Sequence, residues 1–262
     1  MITRPFGAGT RWYIVNDSRE YGVRAGARFY GAPVGILGFD FDQPLIPGSM
    51  GNASSFSVPV QFGIIEGCTP ADIMGDVSSD VIRASVAAAK KLENDGARFI
   101  SGACGYFLKL QSAISQSVRV PVALSSLLLI PWLECLTPRC GRVGVIAAVE
   151  GQVDRNMLSL AGSADPDRIA LEYISQHSPL HRYTFGETDV FDAAAMRDCV
   201  VNAAAALLQQ APDVSIILLE CSEFPPYANA VHSATGVPVF DFVSLVEFFI
   251  SGLRPRIFEG WY

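Results

Sequence analysis

The sequence predicts an α/β protein built on parallel sheets, with helices covering both faces. Three observations predict it. Short apolar runs alternate with longer segments of helical spacing along most of the chain. The runs are apolar throughout rather than at every second residue, as in strands buried on both faces. The second part of the chain then repeats the order of the first, and alternating β and α elements of this kind form parallel sheets.

Residues 1–31 are polar, aromatic and irregular, and no element is assigned to them. PVGILGF (33–39) is an apolar run between turn residues and reads as a buried strand; VPVQFGII (58–65) is a second. Residues 80–94 carry Val81, Ala84, Ala88 and Leu92 at helical spacing, and Gly96 stops the helix. RFISGA (98–103) is the third strand, FLKLQSAIS (107–115) is helix-like, and VPVAL (120–124) is the fourth strand. The order then recurs: a strand at 142–148, a helix at 154–161, a strand at 168–174 and a long Ala-rich helix at 193–210. A strand at 214–220, a helix at 227–233 and a strand at 237–242 complete it. No Pro/Ser-rich linker divides the chain, so two domains would be closely apposed.

Composition narrows the function. Lys and Arg number 19 against 26 Asp and Glu, a formal net charge of −7, which argues against a nucleic-acid-binding surface. Half of the residues are hydrophobic and 17% are charged, which excludes a disordered chain. The first twenty residues hold no apolar signal-peptide core. The most apolar run, 120–136, is interrupted by Pro121, Pro131 and Glu134 and falls short of the roughly 20 residues of a spanning helix. A cytoplasmic protein without membrane contact is the expectation. Six Cys are too few for a disulfide framework, so each thiol is read as core filler, ligand or nucleophile.

An internal repeat selects among them. At a shift of 117 positions RFISGACGYF…VPV lies over SIILLECSEF…VPV, with 7 identities in 25 positions. Cys104 falls on Cys221, Phe107 on Phe224, and Val120-Pro121-Val122 on Val237-Pro238-Val239. Upstream, VGIL (34–37) falls on VGVI (143–146) at a shift of 109, and an eight-residue insertion in the second half reconciles the two. The chain therefore reads as two copies of one unit, each with a Cys just past a strand. Ligands of open parallel sheets bind beyond the carboxyl ends of strands. A helix starting after each Cys would favour thiolate and leave free N–H donors. The amides of Gly105, Tyr106, Phe107, Ser222 and Glu223 are thus expected to face an anion between the copies. Two thiols on opposite faces of one carbon suit two-base proton transfer.

These motifs resemble those of the aspartate/glutamate/hydantoin racemase superfamily, over roughly residues 32–245. LLECSEFPPYA (218–228) is similar to the family's second motif, a Cys followed by Thr and an acidic residue or His, with Ser222 and Glu223 in those places. The first motif departs: amino-acid racemases follow their first Cys with Asn and Thr, where this chain has Gly105 and Tyr106. The resemblance therefore does not extend to aspartate or glutamate as substrate. It implies two similar Rossmann/flavodoxin-like domains related by a pseudo-twofold axis, with the active site in their cleft. The first would comprise 1–126 with 240–262, including an extension over 1–31, and the second 127–239. It further implies an isomerase, a cofactor-independent racemase or epimerase of a small carboxylate or amino-acid-like substrate with Cys104 and Cys221 as its two bases, and a homo-oligomer, most simply a dimer; the aromatic N-terminal arm and IFEGWY (257–262) are the candidate contact surfaces. Within the same superfamily, maleate-type cis–trans isomerases and arylmalonate-type decarboxylases are alternatives; the decarboxylases keep only the second Cys. A non-catalytic small-molecule binding protein is the alternative of another class.

The other polar residues read as follows. Cys68, Cys135, Cys140 and Cys199 read as core filler, with a place lining the cleft the alternative for Cys68, which follows the second strand. The loop 39–56 arches over the site, with Asn52 its candidate substrate contact; Asp40 and Asp42 cap or face solvent. Ser125 is a further candidate at the cleft edge, and Asp241 a lesser one. Glu220 points away from Cys221, since strand neighbours alternate faces. His177 and His181 lie in a polar loop and His232 on a helix surface. No nucleotide-binding glycine motif and no metal-ligand cluster is present in the sequence.

Overall fold

The computed structural model describes residues 30–255. Most of the N-terminal arm and the IFEGWY segment lie outside the described residues. The first half contains β1 (Val34–Phe39), β2 (Val60–Ile65), α1 (Pro70–Met74), α2 (Ser79–Asn94), β3 (Phe99–Gly102), α3 (Gln111–Ser115) and β4 (Val122–Ala123). The helix α4 (Ile130–Leu136) leads into β5 (Arg142–Ala147), α5 (Arg155–Ala161), β6 (Ile169–Tyr173), α6 (Pro179–Thr184) and α7 (Ala193–Gln210). The chain continues through β7 (Val214–Leu219), α8 (Ala228–Thr235), β8 (Val239–Phe240) and α9 (Phe242–Leu253).

The strands form two parallel four-stranded sheets, in the orders β2-β1-β3-β4 and β6-β5-β7-β8. These are the same order twice, and the register agrees residue by residue. Gly35 pairs with Gln61 and Ile100, while Gly144 pairs with Ala170 and Ile217. The first two strands of each sheet are thus related by 109 positions and the third by 117. The eight extra residues fall between β6 and β7, where α6 lies. Gly35 and Gly144 have one physical role. A Cβ on Gly35 would stand 3.0 Å from Leu92 of α2, and one on Gly144 would stand 2.5 Å from Leu207 of α7. Each glycine lets the helix that follows the second strand seat a leucine on the sheet.

Strand alternation distributes the core. In β1, Val34 and Ile36 face Phe242, Val246 and Ile250 of α9, so the C-terminal helix packs on the first sheet. Leu37 and Phe39 face the opposite way, into a core that includes Leu92 of α2. That core continues without a break to Val143, Val145, Ile216 and Leu218 of the second sheet, and to Met157 and Leu158 of α5. The other face of the second sheet, with Ile146, Ile217 and Leu219, is covered by Val200, Ala204 and Leu207 of α7. Burial of these side chains is the main stabilising contribution, about 1.5–3 kcal/mol for each large one.

The sequence reading is corrected in several places. Residues 105–110 after Cys104 form a 3₁₀ helix, and only 111–115 are α-helical. The two VPV segments contribute two strand residues each. On the edge strand β2, Phe62 and Ile64 are 43% and 50% exposed, so it is not buried on both faces. Helix α6 replaces the expected loop; it starts at the Ser178 cap with Pro179 in its first turn. Among the described residues no helix is long and apolar enough to cross a membrane.

Candidate active site

The carboxyl ends of β1, β3, β5 and β7 open into one pocket, and both repeat-related thiols line it. Cys104 follows β3 and stands at the start of the 3₁₀ helix; Cys221 follows Glu220 at the end of β7. The backbone repeats here too. The Ala103 amide donates to the Leu37 carbonyl, and the equivalent Glu220 amide donates to the Ile146 carbonyl. The amides of Tyr106 and Phe107 point at the Cys104 thiol, and that of Glu223 at the Cys221 thiol. The other four thiols lie elsewhere. Cys68 is buried in the core and its thiol is pushed up to about 11 by burial; Cys199 is half-buried on α7. Cys135 and Cys140 are exposed, which corrects their reading as core filler, because the end of α4 and the turn after it face solvent.

The electrostatics of the pocket reverse the expectation of readily ionised thiols. Burial pushes Cys104 and Cys221 well above the ordinary thiol range, and Glu220 adds to both shifts. Against this, the two amide donors at Cys104 and the one at Cys221 exert a weaker downward pull, because desolvation of a thiolate outweighs one or two N–H dipoles. The carboxyls ionise before the thiols do. Burial raises Glu223 to about 7, opposed by the hydroxyls of Ser49 and Ser222, and raises Glu220 to about 8, opposed by the Ala148 amide.

Of the predicted contact residues, Tyr106, Ser222 and Glu223 line the pocket. The Tyr106 hydroxyl accepts from the Val149 amide at 3.0 Å, and the Ser222 hydroxyl donates to the Ala103 carbonyl at 2.8 Å. Phe107 contributes the expected amide, which points at the Cys104 thiol, while its side chain is fully buried against Phe39. The remainder are corrected. Gly105 lies behind the wall, packed on Glu220. Asn52 caps a 3₁₀ turn at 53–55 and donates to the Leu45 carbonyl; Ser125 caps the turn at 126–129 through the Leu127 amide; Asp241 caps α9. Small polar residues before a helical turn are spent on its free amides.

The structure adds His181 to the site. It is buried on α6, lines the pocket, and its Nε2 donates to the Ala148 carbonyl at 2.7 Å. The Ser178-Pro179 pair is the available sequence signal for a helix start there. His177 and His232 are exposed, as expected. The loop 39–56 does close over this end. Phe39 and Gln43 line the pocket, the Met50 amide donates to the Ser222 carbonyl, and the Tyr183 hydroxyl of α6 donates to the Asp42 carbonyl.

Solved structures share this fold. Unliganded arylmalonate decarboxylase superposes with a TM-score of 0.55 at 16% identity, over 88% of this chain and 97% of that one. A glutamate racemase from Bacillus anthracis gives 0.55 at 16% identity, over 86% and 83%, and an allantoin racemase from Pseudomonas fluorescens gives 0.51 at 14%, over 87% and 100%. The chain has the fold of the aspartate/glutamate/hydantoin racemase superfamily. No family model matches the sequence. Within curated proteins it is similar to a dimethylsulfoniopropionate lyase of Durusdinium sp. clade D, 25% identical over 231 residues that cover 86% of this chain and 77% of the relative. It is likewise similar to dimethylsulfoniopropionate lyase 7 of Emiliania huxleyi (strain CCMP1516), 25% identical over 85% of this chain and 68% of the relative. On the racemase-superfamily fold the two thiols occupy repeat-equivalent strand ends, and the walls between them are largely aromatic and apolar.

Proposed function

We propose that this chain is a cofactor-independent lyase that removes the α-proton of a small β-substituted carboxylate with a pocket thiol and expels the β-substituent, with dimethylsulfoniopropionate as its substrate. The observation that carries the reading is the composition of the pocket. Two thiols share it with Phe39, Tyr106, Phe185 and the Glu223 carboxyl, and among the described residues that line it there is no Lys or Arg. A sulfonium cation is favoured by aromatic faces and a carboxylate, at about 0.5–2 kcal/mol per aromatic contact. The curated relatives named above act, by name, on such a substrate.

The proposed chemistry needs one base. Cys221 passes its proton to the Glu223 carboxylate, which is partly ionised near neutral pH. The thiolate so formed takes a proton from the carbon next to the substrate carboxylate. The C–H electron pair becomes the new C=C bond, and the bond from the β-carbon to sulfur breaks with its pair going to sulfur. The products are dimethyl sulfide and acrylate; the thiol returns the system to its starting state once Glu223 has released its proton to water. The Glu223 amide, which points at Cys221, offsets the charge of the thiolate so formed. A thiol whose ionisation is held back by burial is a strong base once ionised, which suits a weakly acidic carbon.

The equivalence of the two thiols favours a second reading, a racemase or epimerase in which one thiol removes the proton and the other returns it to the opposite face. Headspace gas chromatography of the full chain with dimethylsulfoniopropionate separates them. Release of dimethyl sulfide, abolished in Cys221→Ala, supports the lyase. No release, together with solvent deuterium entering the α-position of a chiral carboxylate, would replace it with the racemase.

A further inference from the structure

The first motif lacks the side chains that follow the first Cys in amino-acid racemases, and the structure shows what stands there instead. A Cβ on Gly105 would lie 1.7 Å from Oε1 of Glu220 and 2.7 Å from its backbone carbonyl. No side chain fits at 105 while Glu220 keeps its place. The carboxyl of Glu220 is 1% exposed, and its Oε2 accepts from the Ala148 amide at 3.3 Å. Its own carbonyl accepts from the Ser126 hydroxyl at 3.1 Å. A residue of the second half thus fills a notch in the first motif, one position from Cys104. Glu220 alternates with Cys221 as a strand neighbour does, and that alternation carries its carboxyl to the segment of the other thiol.

We propose that Glu220 is a positioning residue for the first thiol: its carboxyl, seated in the notch left by Gly105, holds residues 104–106 against the second half and sets by its own charge whether Cys104 gives up its proton. The groups facing the carboxyl are Cys104 and Tyr106 from the first motif, Cys221 from its own segment and Tyr173 from β6; none of them is a cation. Burial without a positive partner keeps the acid neutral up to a pH of about 8. While neutral, it places no negative charge beside Cys104. Once ionised, it repels the thiolate and holds the proton on sulfur. This role is the same whether the pocket eliminates or racemises.

Carboxamidomethylation with iodoacetamide, read peptide by peptide by mass spectrometry on the full chain from pH 6 to pH 10, tests it without any substrate. The wild-type rate at Cys104 is expected to flatten as pH rises through about 8. In Glu220→Gln, which keeps the shape and cannot ionise, the rate is expected to match wild type within about twofold at pH 6. At pH 9.5 it is expected to exceed wild type by about tenfold or more, since removing a like charge beside the thiol frees its ionisation. Superimposable profiles, or a uniform change at every pH, would overturn the proposal, the latter because it reports only altered packing. Should Glu220→Gln fail to fold, the wild-type profile decides alone: an unbroken single ionisation at Cys104 is incompatible with a neighbouring acid that titrates near 8.

Discussion

The Ser222 hydroxyl donates to the Ala103 carbonyl over 2.8 Å, so the residue after one thiol is tied to the residue before the other. Both groups are buried. The bond spans 119 positions of sequence and fixes the separation of the two motifs directly at the pocket. Ser222→Ala leaves a buried carbonyl without its donor, at a cost of about 1–3 kcal/mol. Urea unfolding should show a lowered midpoint at unchanged slope. Ser222→Thr keeps the hydroxyl and should recover most of the loss; equal damage from both would mean that packing, not the bond, matters at this position.

Gly144→Ala and Gly35→Ala probe the repeat. A Cβ at 144 meets Leu207 at 2.5 Å and Val214 at 2.9 Å, whereas one at 35 meets Leu92 at 3.0 Å. Both alanines overpack a strand–helix contact, at about 1–3 kcal/mol. The expected order is a larger loss at 144 than at 35, measured by thermal or urea unfolding of the two single variants. The reverse order would show that α7 yields more easily than α2.

Much of this architecture is legible in the sequence. The shifts of 109 and 117 anticipate the register of both sheets, because a parallel strand's partners are fixed by the same apolar pattern that makes it recognisable. The two thiols stand out for the same reason, since a strand end in a repeated unit is a repeated place. What is not legible depends on neighbours distant in sequence. Nothing local at Gly105 says that a carboxyl from residue 220 fills its side-chain space. Asn52 and Ser125 have the composition of binding residues, but the same oxygens serve helix caps, and sequence does not distinguish the two uses. His181 reads as solvated because α6 is short and flanked by polar residues, while the inward face of its single turn and a half is what lines the pocket.

The buried carboxyls give stability a definite pH dependence. Glu220 and Glu223 have folded values of about 8 and about 7, above the ordinary carboxyl value of 4.5. The folded state therefore binds protons more tightly than the unfolded chain. Their favourable contribution is complete below about pH 4.5 and is lost as pH rises through 7 and 8. A tenfold difference in proton affinity between the two states is worth about 1.4 kcal/mol, so the pair tilts the profile by several kcal/mol. Urea midpoints should fall between pH 5 and pH 8, and Glu220→Gln should flatten the upper part of that fall. A midpoint that rises over the same range would place these carboxyls in an ionised, partnered state.

The last prediction separates one base from two. Elimination removes a single proton and returns none to carbon, so it needs one thiol; inversion needs both. If Cys221, paired with Glu223, is the base, Cys221→Ala should reduce dimethyl sulfide release by at least about a thousandfold, the scale typical of losing a general base. Cys104→Ala should cost far less, about tenfold, because its thiol then only shapes the opposite wall and holds the amides of Tyr106 and Phe107 in place. Comparison of kcat for the two variants decides the matter, since a wall residue acts mainly through KM and a base through kcat. Cys221→Ser should remain nearly as impaired as Cys221→Ala, because a serine hydroxyl is a much weaker acid than a thiol and Glu223 is too weak a base to ionise it. Equal and complete loss in both alanine variants would overturn the one-base assignment, because elimination would then require both thiols.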